Sequence, residues 1–173
     1  EAELVNMMRT ALAADGTVAI SYTRGTGRGV ALPAEPVVLE AGRAEVRRQG
    51  ADVSILAIGR MVEVAEEAAV LLDADDVNAG VVNMRWVKPI DLEAVSDAMT
   101  RSLVVTIEEN TGAGGFGAAV LEAIADLDGQ VPVLRLAIPD CFVTHGHTDQ
   151  LLAEVGLTPE AVRAAVLGRL ADV

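Results

Sequence analysis

Val53–Ile58, VSILAI, is an apolar run broken only by Ser54. A strand with one face in water alternates apolar and polar residues; a run this solid is buried on both faces. Val81–Met84 (VVNM) and Leu103–Ile107 (LVVTI) have the same character. Val133–Ile138 (VLRLAI) is a fourth run, interrupted by Arg135. Strands buried on both faces belong to parallel sheets covered by helices.

Helical patterns fill the gaps between these runs. Residues 61–72 (MVEVAEEAAVLL) separate the first two, and residues 91–100 separate the second and third, with Asp91 as N-cap. Residues 116–127 follow, with Phe116, Val120, Ile124 and Leu127 on one stripe. Thr148 and Thr158 read as N-caps of two final helices, and Pro159 takes the first helical position of the second. The alternation predicts an α/β fold in three layers: a mostly parallel sheet, helices on both faces, right-handed crossovers.

Upstream the pattern changes. Residues 1–14 read as a helix with Leu4, Met7, Met8, Ala11 and Leu12 on one face, ended by Asp15-Gly16. Thr17–Tyr22 (TVAISY) reads as a short strand. The segment 23–29, TRGTGRG, then gives the clearest boundary signal in the chain. Val37–Leu39 and Ala44–Arg48 read as short edge segments, the second alternating charged and apolar residues. The expected organisation is a tail and linker over 1–35 and a main domain over 36–173. The chain opens without Met and straight into a helical pattern, so the expectation is a piece that is not a complete enzyme.

Composition excludes several classes. Hydrophobic residues make up 51% of the chain, which argues against disorder. The formal net charge of −13 argues against nucleic acid or an anionic membrane as partner. A single cysteine, Cys141, excludes an internal disulfide and fits the cytoplasm. No apolar run reaches the ~20 residues of a membrane helix.

Open α/β sheets bind ligands at the carboxyl ends of their strands. Gly112–Gly117 (GAGGFG) opens a helix after a strand, but its spacing is not GxGxxG, and Glu108 and Glu109 would repel a phosphate. Close backbone packing against another domain is the expectation there. Adjacent Glu108 and Glu109 point to opposite faces of a strand and cannot pair as acid and base without a bend; one capping the next helix or binding across an interface is the structural alternative. His145 and His147, near Cys141 and Asp149, match no zinc spacing and read as turn residues. Cys141 itself reads as a small buried residue. Arg24 stands apart: it opens a glycine-rich loop with a second arginine at 28, and arginine forks suit phosphate oxygens.

These segments resemble the C-terminal end of the 1-deoxy-D-xylulose 5-phosphate synthases, thiamin-diphosphate enzymes of the transketolase group. SYTRG (21–25) is similar to the family's RYPRG, and VVNMRWVKPID (81–91) to VVNARFVKPLD. VTIEENTGAGGFGAAVLE (105–122), VPVLRLAIPDCFVTHG (131–146) and LLAEVGLTPEAV (151–162) each have a family counterpart in the same order. The EEN…GGFG and IPD…HG pair is shared more loosely with 2-oxo acid dehydrogenase β subunits.

The resemblance implies a transketolase-type C-terminal domain preceded by the last helix, strand and linker of a pyrimidine-binding domain. It implies partners in the remaining domains of the same enzyme and a homodimer of the whole. It implies a transferase that uses thiamin diphosphate and Mg²⁺ to condense pyruvate with glyceraldehyde 3-phosphate, losing CO₂, on the route to isoprenoid, thiamin and pyridoxal precursors. It implies no catalytic, cofactor or metal residue within this chain, and a piece inactive alone. Arg24 matches the family arginine that holds the acceptor's phosphate, a contact worth roughly 1.5–3 kcal/mol. Ser21 and Thr23 depart from the family's arginine and proline, and Arg28 has no family counterpart. Two alternatives remain: another thiamin-diphosphate enzyme (a 2-oxo acid dehydrogenase β subunit or a transketolase), or a non-catalytic assembly module.

Overall fold

The computed structural model describes residues 1–23 and 25–172. The chain divides into two compact units, Glu1–Ala41 and Gly42–Val173.

In the first unit, α1 (Ala2–Ala13) is the helix expected over 1–14. Thr17–Tyr22 forms no strand. A strand needs a neighbour to take its amides and carbonyls, and no paired strand lies in this unit among the described residues. Residues 17–22 are exposed apart from half-buried Ile20. The buried position on α1 is a threonine, Thr10, while Leu12 of the expected apolar face is 84% exposed.

Thr10 is covered by the segment that ends this unit, beyond the linker bound expected at residue 35. Its hydroxyl donates to the Asn6 carbonyl at 2.7 Å and accepts from the Leu39 amide at 2.8 Å. The Asn6 side-chain oxygen accepts from the Val37 amide at 3.0 Å. Four residues of helix rise about 6 Å, and two residues of extended chain span about 6.6 Å. The repeats match, so alternate linker amides meet side chains one helical turn apart. Val37–Leu39 is therefore extended, as expected, but it is held by a helix and not by a sheet edge.

The second unit holds a sheet in the order β1-β3-β2-β4-β5, built from Glu45–Arg48, Val53–Ala57, Ala79–Asn83, Leu103–Thr111 and Val133–Ile138 for β1 to β5. The edge strand β1 runs antiparallel to β3; every other pairing is parallel. The helices are α2 (Met61–Asp73), α3 (Leu92–Ala98), α4 (Phe116–Asp126), α5 (Thr148–Glu154) and α6 (Pro159–Ala171). This is the expected three-layer, mostly parallel α/β fold.

Strand periodicity divides the core in two. Val53, Ile55, Ala57, Leu103, Val105 and Ile107 point to one face, beneath α2, α5 and α6. Leu56, Val82 and Val104 point to the other, against Val95 of α3 and Phe116, Val120 and Ile124 of α4. Phe116 is the one aromatic residue of the core; the rest is aliphatic and Met.

Several boundaries differ from expectation. β3 begins two residues early, at Ala79, which pairs with Val53 of β2, and Gly50 and Gly80 bring two backbones together there: a Cβ on Gly50 would overlap the Gly80 amide nitrogen. β4 runs past Ile107 to Thr111, which rejoins β5 opposite Ile138 after an irregularity in register. The cap of α5 is His147, with Thr148 as first helical residue. Asp91 and Thr158 cap as expected, accepting from the Ala94 amide at 3.0 Å and the Ala161 amide at 3.3 Å. Asp91 also accepts from the Ala44 amide at 2.8 Å, tying the approach to β1 to the start of α3.

Candidate functional site

Two regions carry the polar residues singled out in the sequence: the glycine-rich loop of the first unit and the carboxyl edge of the sheet in the second.

At the sheet edge, β3 and β4 flank β2, so the chain reverses its direction of winding beside β2. Gly59, with φ of 60°, turns the chain out of β2 into α2, and Arg60 follows at its N-terminus. The Arg60 guanidinium lies 3.6 Å from the Glu109 carboxylate and 3.8 Å from that of Asp149. Burial raises the Glu109 carboxyl above the usual range, and the charge of Arg60 opposes that shift.

Glu108 faces the other way. It is 2% exposed, and its two carboxylate oxygens accept from the amides of Phe116 and Gly117, each at 2.7 Å. A carboxylate at a helix N-terminus satisfies free N–H groups and meets the positive end of the helix dipole. The glycines of GAGGFG belong to this arrangement. A Cβ on Gly115 would overlap the Glu108 carboxylate, and one on Gly117 would crowd Thr106 Oγ1 at 2.7 Å. The turn that could have cradled a diphosphate is filled by the protein's own carboxylate, so these residues do not fit the cofactor. The adjacent glutamates thus diverge, one to cap a helix and one to meet Arg60.

Arg85 adopts a left-handed conformation, φ 56°, at the end of β3. Its amide donates to Asn83 Oδ1 at 3.2 Å and its guanidinium to Glu45 at 2.9 Å. His145 and His147 are exposed. Among the described residues no three His, Cys, Asp or Glu side chains gather as metal ligands. Cys141, expected buried, is exposed. Its loop turns sharply, with the Cys141 amide 2.7 Å from the Pro139 carbonyl, and this lifts Phe142 fully into solvent.

Arg24 lies outside the described residues. Downstream of it, the Glu1 carboxylate accepts from the amides of Gly29 at 2.9 Å and Val30 at 3.3 Å. The Gly29 bond is the main cause that holds the Glu1 carboxyl below its usual range. The latches made by Glu1, Asn6 and Thr10 escaped the sequence reading. No local signal marks them: Asn6 and Thr10 lie one helical turn apart, on the side of α1 away from its expected apolar face.

Comparison with known proteins places the fold. The family model of the transketolase C-terminal domain matches residues 42–162. The 1-deoxy-D-xylulose-5-phosphate synthase of Heliobacterium modesticaldum is 47% identical over 99% of this chain and 27% of its own length. That of Thermomicrobium roseum is 44% identical over 99% of this chain and 28% of its own length. The chain therefore spans about a quarter of these relatives. Among solved structures, a split-gene transketolase described as an inactive β4 tetramer superposes with a TM-score of 0.73 at 38% identity, covering 78% of this chain and 44% of that one. A Pichia stipitis transketolase, at 17% identity and TM-score 0.55 over 80% of this chain and 20% of its own, shares the fold. By the match over 42–162, the chain belongs to the transketolase C-terminal domain family.

Proposed function

We propose that this chain acts as the C-terminal part of a 1-deoxy-D-xylulose-5-phosphate synthase. One observation carries the reading. The similarity to synthases covers 99% of the chain, so it extends through the first unit and its arginine loop, ahead of the 42–162 segment common to the wider family. Residues 1–35 then serve as the end of a pyrimidine-binding domain and its linker, and the remainder as the C-terminal domain. The partners are the other domains of the same cytoplasmic enzyme and a second copy of it.

The reaction joins two carbons of pyruvate to glyceraldehyde 3-phosphate, and the pyruvate carboxyl leaves as CO₂. Enzymes of this group use thiamin diphosphate and a metal ion, which supply the electron sink for that loss. This chain's share is to hold the acceptor. Arg24 receives the acceptor's phosphate through charge-assisted hydrogen bonds, which strengthens acceptor binding about ten- to a hundredfold.

The test is Arg24→Ala in the full-length enzyme. Pyruvate decarboxylation persists and the KM for glyceraldehyde 3-phosphate rises by about that factor; an unchanged acceptor KM overturns the role. Assay of the wild type with pyruvate and glyceraldehyde 3-phosphate separates the synthase from a transketolase or a 2-oxo acid dehydrogenase β subunit. A gene product without activity on any of these substrates would favour an assembly module, as the inactive β4 assembly of the split-gene relative suggests.

A further inference from the structure

The arginine loop is fastened at its downstream end, and the fastener is a carboxylate on the helix before it. Glu1 accepts from two successive amides, Gly29 at 2.9 Å and Val30 at 3.3 Å. Gly29 has φ of 76°, a conformation that glycine adopts without cost and that turns neighbouring N–H groups toward one point. Gly27 lies against the same carboxylate, where a Cβ would overlap Glu1 Oε1. Two of the loop's glycines are thus explained by one side chain: Gly27 by close approach, Gly29 by backbone conformation.

The geometry points to Glu1 as a positioning residue for phosphate recognition, anchoring the loop that carries Arg24. The inference rests on the reading of Arg24 as the phosphate ligand. Arg24 stands five residues before Gly29, so releasing the Glu1 latch removes a backbone anchor shortly downstream of it.

The experiment compares Glu1→Ala, Glu1→Gln and Arg24→Ala in the full-length enzyme. Glu1→Ala raises the KM for glyceraldehyde 3-phosphate severalfold. It leaves kcat, the pyruvate KM and the KM for unphosphorylated glyceraldehyde unchanged. Glu1→Gln, which keeps an acceptor oxygen, recovers part of the loss. Hydrogen exchange rises in the peptide spanning 27–31 in Glu1→Ala. If Arg24→Ala raises the acceptor KM and Glu1→Ala does not, the positioning role is wrong and the phosphate ligand stands. If neither changes it, the phosphate reading falls and this inference with it. A Glu1→Ala effect that is equal for the phosphorylated and unphosphorylated acceptors also overturns the role, because it marks general loosening.

Discussion

Glu108 and Phe116 are joined by a buried hydrogen bond: the Glu108 carboxylate accepts the Phe116 amide at 2.7 Å. The bond runs from the upper part of β4 to the first turn of α4, and a second to the Gly117 amide makes the grip bidentate. Glu108→Ala leaves two buried donors without an acceptor and removes a charge from the positive end of the helix. We expect a loss of about 2–4 kcal/mol, with Glu108→Gln costing less, read from urea denaturation at constant m-value.

Gly50 and Gly80 let β3 lie close to the turn before β2. Gly50→Ala places a methyl group into the backbone of Ala79 and Gly80, where no side chain can move aside. A destabilisation of about 2–3 kcal/mol is expected. An exposed glycine with no neighbour and an ordinary φ, Gly168, is the control; alanine there raises stability by up to about 1 kcal/mol.

Arg163 of α6 holds Asp75 through two hydrogen bonds, at 2.5 and 2.6 Å, across the end of α2. The Arg163 bond holds the Asp75 carboxyl below its usual range. A carboxyl lowered in the folded state binds its proton first in the unfolded state. Its stabilisation is complete above the unfolded value of about 3.9 and is lost as pH falls through the folded value. Arg163→Gln should therefore flatten the fall in stability on acidification below about pH 4, measured by urea midpoints across that range.

Glu109 works in the opposite sense. Burial raises its folded value, so between the unfolded and folded values the native state holds the extra proton and stability falls as pH rises. Arg60 opposes that shift. Arg60→Gln should move the Glu109 titration to higher pH and deepen the fall, and Glu109→Gln should abolish both effects. Carboxyl-carbon NMR titration of Glu109 in the wild type and in Arg60→Gln decides the first, and urea midpoints across that pH range in all three proteins decide the second.

The fold was legible because the evidence for it is local and repeated. Three apolar runs could only be strands buried on both faces, and Asp91 and Thr158 announced their helices by type alone. Thr17–Tyr22 failed for the same reason that the others succeeded: composition reports a preference for extended chain, but a strand exists only where a neighbour takes its amides. The capping role of Glu108 was open beforehand as one alternative for the glutamate pair. That Glu108 and not Glu109 turns inward depends on strand register, which no single residue announces. Cys141 was misjudged because its residue type favours burial, while the sharp turn after Pro139 throws it outward. The latches by Glu1, Asn6 and Thr10 join residues about thirty apart in sequence, and nothing local to either partner marks them.

The matched spacing of Asn6 and Thr10 against Val37 and Leu39 makes the linker a ruler with fixed graduations. Between Val30 and Val37 the chain can gain or lose a residue as a bulge, since the described amides there carry no latch. Between Val37 and Leu39 it cannot: one inserted residue turns the second amide away from Thr10 and leaves a buried hydroxyl with half its partners. Length variation among relatives should therefore collect in the first interval and avoid the second.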